Sequence, residues 1–487
     1  MYLIIQKIYE KNNKILKEGL KNVLNGADVS TLTGAIKDFT DVLGKELFAE
    51  IVTQIENLVF EDTKRKNQYE AVRFAEKGLV TKNGKAKFER RYYKDNETGE
   101  NVCLTDRVLG LEKGERIDKK VKSELIQKAS EQSYSKSGKL VVPEMEISAT
   151  TVMRNVRKNE WKMKVEERKE EEKIKAKNIF IQVDEDHVKE IGKKGCTISK
   201  IITIYTRKRT LTKPDRIPEV KQVRKELVDK FTFAGLYKDT QEMWEDVAYY
   251  IDCTYKKEEI ETAFVMGDGA SYIKAGTEWI AKSVFVLDTF HLEKYINHLN
   301  YDENLKMKLQ EAIDQFDPIS TENIMNEAIK NIETEIEEDE QLGRSTKRLE
   351  NRLKKINETK TYLINQWDGI EAQDIYKDKL TGCCQEGQVH HTLSERMSTD
   401  AKVWCEEGID EMSQLRAFTQ NGGDIYQKII DISTAEKREK RIEELEKRIR
   451  KKANKKLFGT TGVKIPIAQA RDELYYELKN IWYGNAV

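Results

Sequence analysis

The sequence predicts a multidomain α+β protein: a helical N-terminal region with a β-hairpin, an α/β core interrupted by an all-helical insertion, and a helical C-terminus. Its 487 residues allow for about three domains of roughly 100–200 residues each. Charged residues make up 35% of the chain, which favours helical parts with large surfaces over a single globule. The spacing of apolar residues becomes strand-like in two stretches, 71–105 and 178–300.

Composition excludes several classes of protein. The 86 Lys and Arg residues balance 86 Asp and Glu residues, which argues against a uniformly basic coat on nucleic acid. No apolar run approaches the roughly 18 residues that a membrane span needs, and the charged N-terminal stretch resembles neither a signal peptide nor an anchor. We therefore expect no membrane partner. The six Cys residues form no CxxC pair, so we expect reduced thiols in a cytoplasmic protein rather than a zinc ribbon.

Residues 1–70 have apolar residues at helical spacing. The clearest helix has Phe48, Ile51, Ile55 and Val59 on one face. This face is typical of helical packing or a dimer surface, and a role in DNA binding is the alternative.

Residues 71–112 are expected to contain a β-hairpin around Asn83-Gly84, a dipeptide that favours tight turns. Its second strand places basic residues beside aromatic ones, which suits phosphate contact and base stacking. An ordinary exposed strand is the alternative interpretation. The residues concerned are Arg90, Arg91, Tyr92 and Tyr93.

Residues 113–160 return to helical spacing and predict a helix-turn-helix-like pair with Ser148 as the N-cap of the second helix. The same pattern occurs in helical proteins that bind no DNA. The basic residues expected to contact DNA are Arg154, Arg157 and Lys158. Residues 161–177 have mixed charge and few apolar residues, and they predict a solvated helical linker.

The α/β core is predicted to begin at residue 178, and its first part extends to residue 300. Three consecutive strands followed by strands that alternate with helices are typical of a ribonuclease-H-like sheet, although the pattern also allows other α/β folds. The remaining segments are a helical insertion over 301–375, the final part of the core over 376–430 and a basic helical C-terminus over 431–487. Between 434 and 457 the chain has eleven Lys or Arg residues against five Glu residues, and phosphate contact or a plain solvated helix would account for them.

Acidic residues follow three of the predicted strands of this core. Asp184, Asp268 and Asp288 each come directly after an apolar strand, where ligands bind in open α/β sheets. Converging carboxylates can hold two Mg²⁺ ions and so assist phosphoryl transfer. A single strand-end Asp often caps the next helix instead.

All five His residues lie near these acids or between 387 and 391. His187 and His291 each follow a strand-end Asp by three residues. We interpret them as groups that fix local geometry by hydrogen bonding, and not as zinc ligands.

Four motifs together resemble the ISLre-type bacterial insertion-sequence transposases, which are related to the Mutator-like DDE superfamily. They are VDEDHV at 183–188, GDGASY at 267–272, DTFH at 288–291 and CCQEGQVHHTLSERM at 383–397. The resemblance extends to the hairpin and most of the chain. It implies a ribonuclease-H-like catalytic core that cleaves and transfers DNA strands in a metal-dependent reaction.

The resemblance also implies the roles of the acidic residues. Asp184, Asp268 and Glu386 would be the catalytic metal ligands. Asp288 and His291 would match a signature that lies between the second Asp and the Glu, which makes them supporting residues. Asp186 is the alternative to Asp184, and Glu395 is the alternative to Glu386.

The implied cofactors are two Mg²⁺ ions, with Mn²⁺ as a substitute. The implied partner is double-stranded DNA, both the terminal inverted repeats of the element and the target, bound by a homodimer or higher oligomer associated with the nucleoid. We expect residues 1–160 to recognise the element's ends. The alternatives are a nuclease of the same fold that does not join strands, and a non-catalytic DNA-binding protein in which the acids are caps.

Overall fold

The computed structural model describes residues 28–142, 145–210 and 225–434, with four isolated positions before residue 28. These residues form an α+β protein with many helices and a mixed sheet, which confirms the predicted fold class. The basic segment predicted between 434 and 457 lies, apart from its first residue, outside the described residues.

The N-terminal region is helical, as predicted, in α1 (Val29–Glu61) and α2 (Thr63–Gln68). Its buried face overlaps the predicted one. Phe48 packs against Val52 and Phe88, and Ile55 and Val59 are half-buried, whereas Ile51 is 48% exposed. The helix also buries the charged Glu56, which apolar spacing could not indicate.

The predicted hairpin is confirmed as β1 (Tyr69–Thr81) and β2 (Gly84–Asp95), with β3 (Asn101–Val102) added beside β2. Thr81 pairs with Gly84, so the two turn residues are Lys82 and Asn83. Gly84 has a φ of 105°, a conformation that favours glycine. Helix α1 packs on the hairpin through Val52 and Phe88.

Four further helices follow the hairpin. They are α3 (Leu104–Val108), α4 (Lys119–Glu131), α5 (Tyr134–Leu140) and α6 (Ala149–Arg157). Ser148 is the N-cap of α6, as predicted, and its Oγ accepts the Thr151 N–H. Residues 141–148 separate α5 from α6, and this connection is longer than the roughly 3–4 residues of a helix-turn-helix.

The prediction of a solvated helical linker over 161–177 is wrong. This segment contains no helix, and Ile174 forms a parallel β-bridge with Tyr255. Trp161 is 1% exposed, and its indole N–H donates to the Val156 carbonyl oxygen. Val165, Ile174 and Ala176 are partly buried against the core, so the charge pattern of this segment was a poor guide to its structure.

A five-stranded sheet forms the α/β core, in the order β10-β9-β4-β5-β8. Strands β4, β9 and β10 are parallel, and β5 is antiparallel to both β4 and β8. A separate two-stranded ribbon pairs β6 with β7. The strands are β4 (Asn178–Lys189), β5 (Cys196–Tyr205), β6 (Arg207–Thr210), β7 (Lys225–Val228), β8 (Phe231–Gly235), β9 (Thr262–Gly267) and β10 (Ser283–Leu287).

The two faces of this sheet are covered by different elements. Ile181 and Val183 face α7 (Thr240–Thr254), whose Trp244 is fully buried. The opposite face has Phe180 stacked between Tyr205 and Phe264. Successive strand residues point to opposite faces, so this second face also includes Gln182 and Asp184.

The predicted insertion is helical and has its own apolar core, which includes Leu309, Ile332 and Ile356. Two short helices and α10 precede it. The helices are α8 (Ser271–Lys274), α9 (Gly276–Trp279), α10 (Thr289–Ile296), α11 (Glu303–Asp314), α12 (Pro318–Gln341), α13 (Lys347–Asn365) and α14 (Trp367–Ile375).

The final part of the core contains α15 (Gln385–Val389), a π-helical turn (His390–Ser394), α16 (Glu395–Met397) and α17 (Glu406–Gln420). Arg396 and Arg416 donate to the carbonyl oxygens of Ala129 and Ser130 at the end of α4. Residues 429–434, the described start of a second compact unit, are helical. Within the described ranges, no helix is long and apolar enough to cross a membrane.

Candidate active site

The three strand-end aspartates occupy equivalent positions in the sheet. Gln182 pairs with Met266 across β4 and β9, and Met266 pairs with Val286 across β9 and β10. Two residues further along each strand lie Asp184, Asp268 and Asp288. Because side chains two residues apart share a face, the fold brings these three carboxylates to one edge of one face, as the sequence predicts.

Asp184 is the central acid of this group. Its Oδ1 accepts the Glu185 N–H at 2.9 Å. Burial raises the pKa of Asp184 to about 7, the charges of Asp268 and Asp288 add to the shift, and His291 opposes it. A carboxyl group that titrates near neutral pH beside other carboxylates is typical of functional sites.

His291 is the histidine that contacts this group. Its Nδ1 lies 3.0 Å from Oδ2 of Asp288, as the prediction of a His-carboxylate hydrogen bond requires. This bond and the nearby charge of Asp184 raise the pKa of His291. Burial raises the pKa of Asp288, but hydrogen bonds from His291 and Cys383 bring it below its ordinary value.

The Asp268 turn is held in place by the helical insertion. Oδ1 of Asp268 accepts the Ala270 N–H at 2.9 Å, and Gly269 has a φ of 89°. The Tyr362 hydroxyl donates to the Asp268 carbonyl oxygen at 2.7 Å, and the Gln366 amide donates to the Gly269 carbonyl oxygen at 3.1 Å. Both side chains support the turn from α13 and its end.

A third contact from the insertion supports the neighbouring strand. The Gln373 amide donates to the Leu287 carbonyl oxygen at 2.7 Å, immediately before Asp288. Our sequence reasoning missed Tyr362, Gln366 and Gln373. Polar residues on a highly charged helix carry no signal that distinguishes such contacts from solvent-facing positions.

The predicted Glu386 lies on a segment that packs against β4. The Cys384 thiol lies 3.0 Å from Oε1 of Gln182, and the Gln385 amide donates to the Val183 carbonyl oxygen. Glu386 is the next residue of α15, and its side chain is exposed. The fold therefore brings the Glu386 helix next to the strand that bears Asp184.

The two alternative acids have other partners. Glu395 is separated from Glu386 by the π-helical turn, and its side chain is 58% exposed and 3.6 Å from Nη2 of Arg416. Asp186 accepts a hydrogen bond from the Ser398 hydroxyl at 3.0 Å, and burial raises its pKa. Both contacts involve the final part of the core, so each of these acids has a structural role.

The donor chemistry of the site fits a hard divalent cation, because Mg²⁺ prefers carboxylate oxygen ligands. Among the described residues, no group of three or more His, Cys, Asp or Glu side chains is already arranged to hold a metal ion. The complete ligand set of Asp184, Asp268 and Glu386 therefore stays a prediction.

The hairpin residues predicted to contact DNA are engaged inside the protein. Nε of Arg90 lies 3.0 Å from Oδ1 of Asp106, and Nη1 of Arg91 lies 3.2 Å from Oε1 of Glu56. The side chains of Arg90 and Arg91 are only 10% and 16% exposed. Tyr93 is fully buried, and its hydroxyl donates to Glu56 at 2.8 Å. The expected exposed basic and aromatic surface is therefore mostly interior.

The basic residues of α6 differ from one another. Arg154 is exposed. Nη1 of Arg157 lies 3.3 Å from Glu407, and Nζ of Lys158 lies 3.3 Å from Glu112. Of the three, Arg154 is the one without an ion pair among the described residues, so its charge is the most readily available for a phosphate contact.

Comparisons with known proteins place the chain in a family. A sequence model of the uncharacterised protein family UPF0236 matches residues 22–430. The chain belongs to this family.

Relatives of this family occur in Caldanaerobacter subterraneus subsp. tengcongensis. The chain is 33% identical to one UPF0236 protein over 451 residues, 91% of this chain and 90% of the relative. It is 32% identical to a second over 450 residues, 90% of this chain and 89% of the relative. The names of these two relatives combine eleven and four locus designations, respectively.

Proposed function

We propose that this protein is a DDE transposase that cleaves DNA at the ends of an insertion sequence and joins the ends to a target. The observation that carries the proposal is the register of the sheet. It places Asp184, Asp268 and Asp288 at equivalent positions on one face, with the Glu386 helix packed against the same strand.

The strand order supports a ribonuclease-H-like core. The first three strands of the sheet in chain order, β4, β5 and β8, are antiparallel neighbours, and β9 and β10 extend the sheet parallel to β4. The helical insertion lies in the chain between Asp268 and Glu386, where the resemblance to ISLre-type transposases places it.

Asp184, Asp268 and Glu386 would hold the divalent ions. Two such ions, when bound, activate the attacking oxygen and stabilise the leaving oxygen in phosphoryl transfer. Asp184 must lose its proton to become a ligand, and its pKa of about 7 makes that loss possible near neutral pH. His291 orients Asp288 at 3.0 Å, and Tyr362 fixes the Asp268 backbone.

The names of the relatives agree with a mobile element. Eleven locus designations in one name describe a protein found at many places in one organism. An element that copies or moves itself would produce this distribution, whereas a housekeeping nuclease would not require it.

The test is a cleavage and strand-transfer assay with the full chain and DNA that contains the ends flanking its gene. Cleavage and joining should require Mg²⁺ or Mn²⁺ and disappear with a chelator. Asp184→Asn and Asp268→Asn should remove both steps and keep DNA binding, because an amide is a poorer Mg²⁺ ligand than a carboxylate.

Glu395→Gln is the matched control for Glu386→Gln, since both acids are exposed and lie on the same segment. Only Glu386→Gln should abolish cleavage. Cleavage without joining would identify a nuclease of the same fold, and DNA binding without metal-dependent cleavage would contradict an enzymatic role.

A further inference from the structure

A cavity of about 640 Å³ lies between the hairpin and the start of α6, far along the chain from the strand-end acids. Its walls come from β1 and β2, from residues 114–117 and from residues 145–151. We call it the hairpin cavity. None of its lining residues belongs to the candidate active site, and two of them, Arg90 and Tyr92, belong to the hairpin residues predicted to suit DNA contact.

The charge of the hairpin cavity favours an anion. Its three lining acids have lysine partners that are not part of its wall: Glu76 with Lys87, Glu115 with Lys122 and Glu146 with Lys139. Two of its cations, Lys85 and Arg116, are exposed, and among the described residues neither has an acid within ion-pair distance. Counted over 28–142, 145–210 and 225–434, these two positive charges have no acidic partner.

Arg90 lines the same cavity although its residue is only 8% exposed. Its Nε lies 3.0 Å from Asp106, which also accepts a hydrogen bond from Lys77 at 3.0 Å. Within the described part of the chain, Nε and Nη1 of Arg90 are buried and neither has a hydrogen-bond partner, while the guanidinium lies over the Tyr92 ring with its carbon 5.1 Å from the ring centroid. A buried guanidinium with an unused N–H is costly unless a further acceptor is present in the functional state.

Helix α6 begins at the wall of this cavity. Ser148 and Thr151 both line it, and their hydroxyl oxygens lie 2.9 Å apart. The first N–H groups of a helix lack intrahelical partners and carry a partial positive charge, which suits phosphate. The helix terminus, the buried guanidinium and the two free cations all favour the same kind of ligand.

We propose that the hairpin cavity binds a phosphate group of the DNA backbone. The proposal rests on the proposed function only for the source of the phosphate. It places the DNA contact of the hairpin in a cavity between β2 and α6 and not on the outer surface of the strand.

The experiment measures binding of the full chain to a fluorescent DNA duplex at several salt concentrations. The double variant Lys85→Gln/Arg116→Gln removes the two free charges at exposed positions, so its thermal unfolding should match that of the natural chain. Its matched control is Lys64→Gln/Lys66→Gln, which removes two exposed charges from α2, outside the cavity.

The cavity variant should bind DNA more weakly, and the magnitude of the slope of log K against log salt should fall by about 0.9, because one phosphate contact is lost. The control should keep the natural slope. Equal slopes for the cavity variant and the natural chain would overturn the proposal.

A measurement with inorganic phosphate tests whether the cavity binds free phosphate instead of a phosphate of the DNA backbone. If it raises the unfolding temperature of the natural chain but not of the cavity variant, while DNA binding is equal, the site takes free phosphate and the DNA proposal is overturned. The cleavage assay is independent of this result. Continued cleavage by Asp184→Asn would contradict the proposed function. The salt slopes would still test whether the hairpin cavity binds a DNA phosphate.

Discussion

The strand-end acids and the hairpin arginines differ in the charge of their neighbours. On the sheet, the carboxylates of Asp184 and Asp268 lie near each other, and the pKa of the neighbouring His291 is raised by its hydrogen bond to Asp288. In the hairpin, Arg90 and Arg91 are each paired with an acid. Gathering like charges in a buried site costs stability, whereas an oppositely charged partner offsets at least part of the cost of burying a charge. We take this difference as support for the proposed site at the sheet edge, whereas the hairpin ion pairs are contacts within the N-terminal region.

The largest effect on cleavage is expected at the edge of the sheet. Asp184→Asn should reduce metal-dependent cleavage to the level measured without enzyme, because the site would lose a carboxylate ligand. The dissociation constant for DNA, measured by fluorescence anisotropy, should stay within about twofold of that of the natural chain. A parallel loss of binding and cleavage would instead show that Asp184 supports the fold.

The hairpin should respond through stability. Glu56 is 3% exposed and accepts hydrogen bonds from Tyr93, Arg91 and Thr105. Glu56→Ala would leave Arg91 without its partner, and removing one member of a buried pair costs about 3–5 kcal/mol. Denaturant unfolding measures this loss. Glu61→Ala, at an exposed position on the same helix, should change the free energy of unfolding by less than about 0.5 kcal/mol.

The pH dependence of stability sharpens the contrast. The pKa of Asp184 is raised from 3.8 to about 7 in the folded chain, so the folded state holds this proton more tightly than the unfolded state. The associated stability is complete below pH 3.8 and is lost as the pH rises towards 7.

At about 1.4 kcal/mol per pKa unit, this loss amounts to a few kcal/mol. Asp184→Asn should therefore stabilise the metal-free protein more at pH 8 than at pH 5 by thermal unfolding. An equal gain in stability at both pH values would show that the pKa of Asp184 is not raised in the folded chain.

His291 should have a smaller effect, because it acts through Asp288, which is not one of the proposed metal ligands. His291→Ala should lower cleavage by up to roughly 10–100-fold, the range for outer-shell partners of a metal site. The requirement for Mg²⁺ should remain. Since the pKa of His291 is raised in the folded state, its pairing with Asp288 stabilises the fold at low pH and loses this effect as the pH rises through that pKa. An imidazole nitrogen bound to the metal in a DNA complex would contradict this role.

The smallest effect is expected at the insertion. Tyr362→Phe removes the hydroxyl that donates to the Asp268 carbonyl oxygen at 2.7 Å. We expect a loss of about 1 kcal/mol in stability and a severalfold loss of cleavage, with the stacking on Tyr295 kept. The ring centroids of this pair are 3.7 Å apart. Tyr376→Phe, a matched change on the same face of the sheet, should leave cleavage unchanged.

The sequence by itself determined the elements and the positions of the acids within them. Apolar strands that end in Asp184, Asp268 and Asp288 are local patterns, and parallel neighbours align such ends without further information. The hairpin turn near Gly84 and the Ser148 N-cap were equally local, because each depends on residues within a few positions.

Only the tertiary structure decided which charges are free. Glu56 and Asp106 neutralise Arg91 and Arg90 from other elements of the N-terminal region, and Tyr362 reaches Asp268 from the insertion. The 161–177 segment packs on the core despite its charge, with Trp161 buried. Local patterns specify the element and the face on which a side chain lies. Its partner lies far along the chain, and only tertiary packing brings the two together.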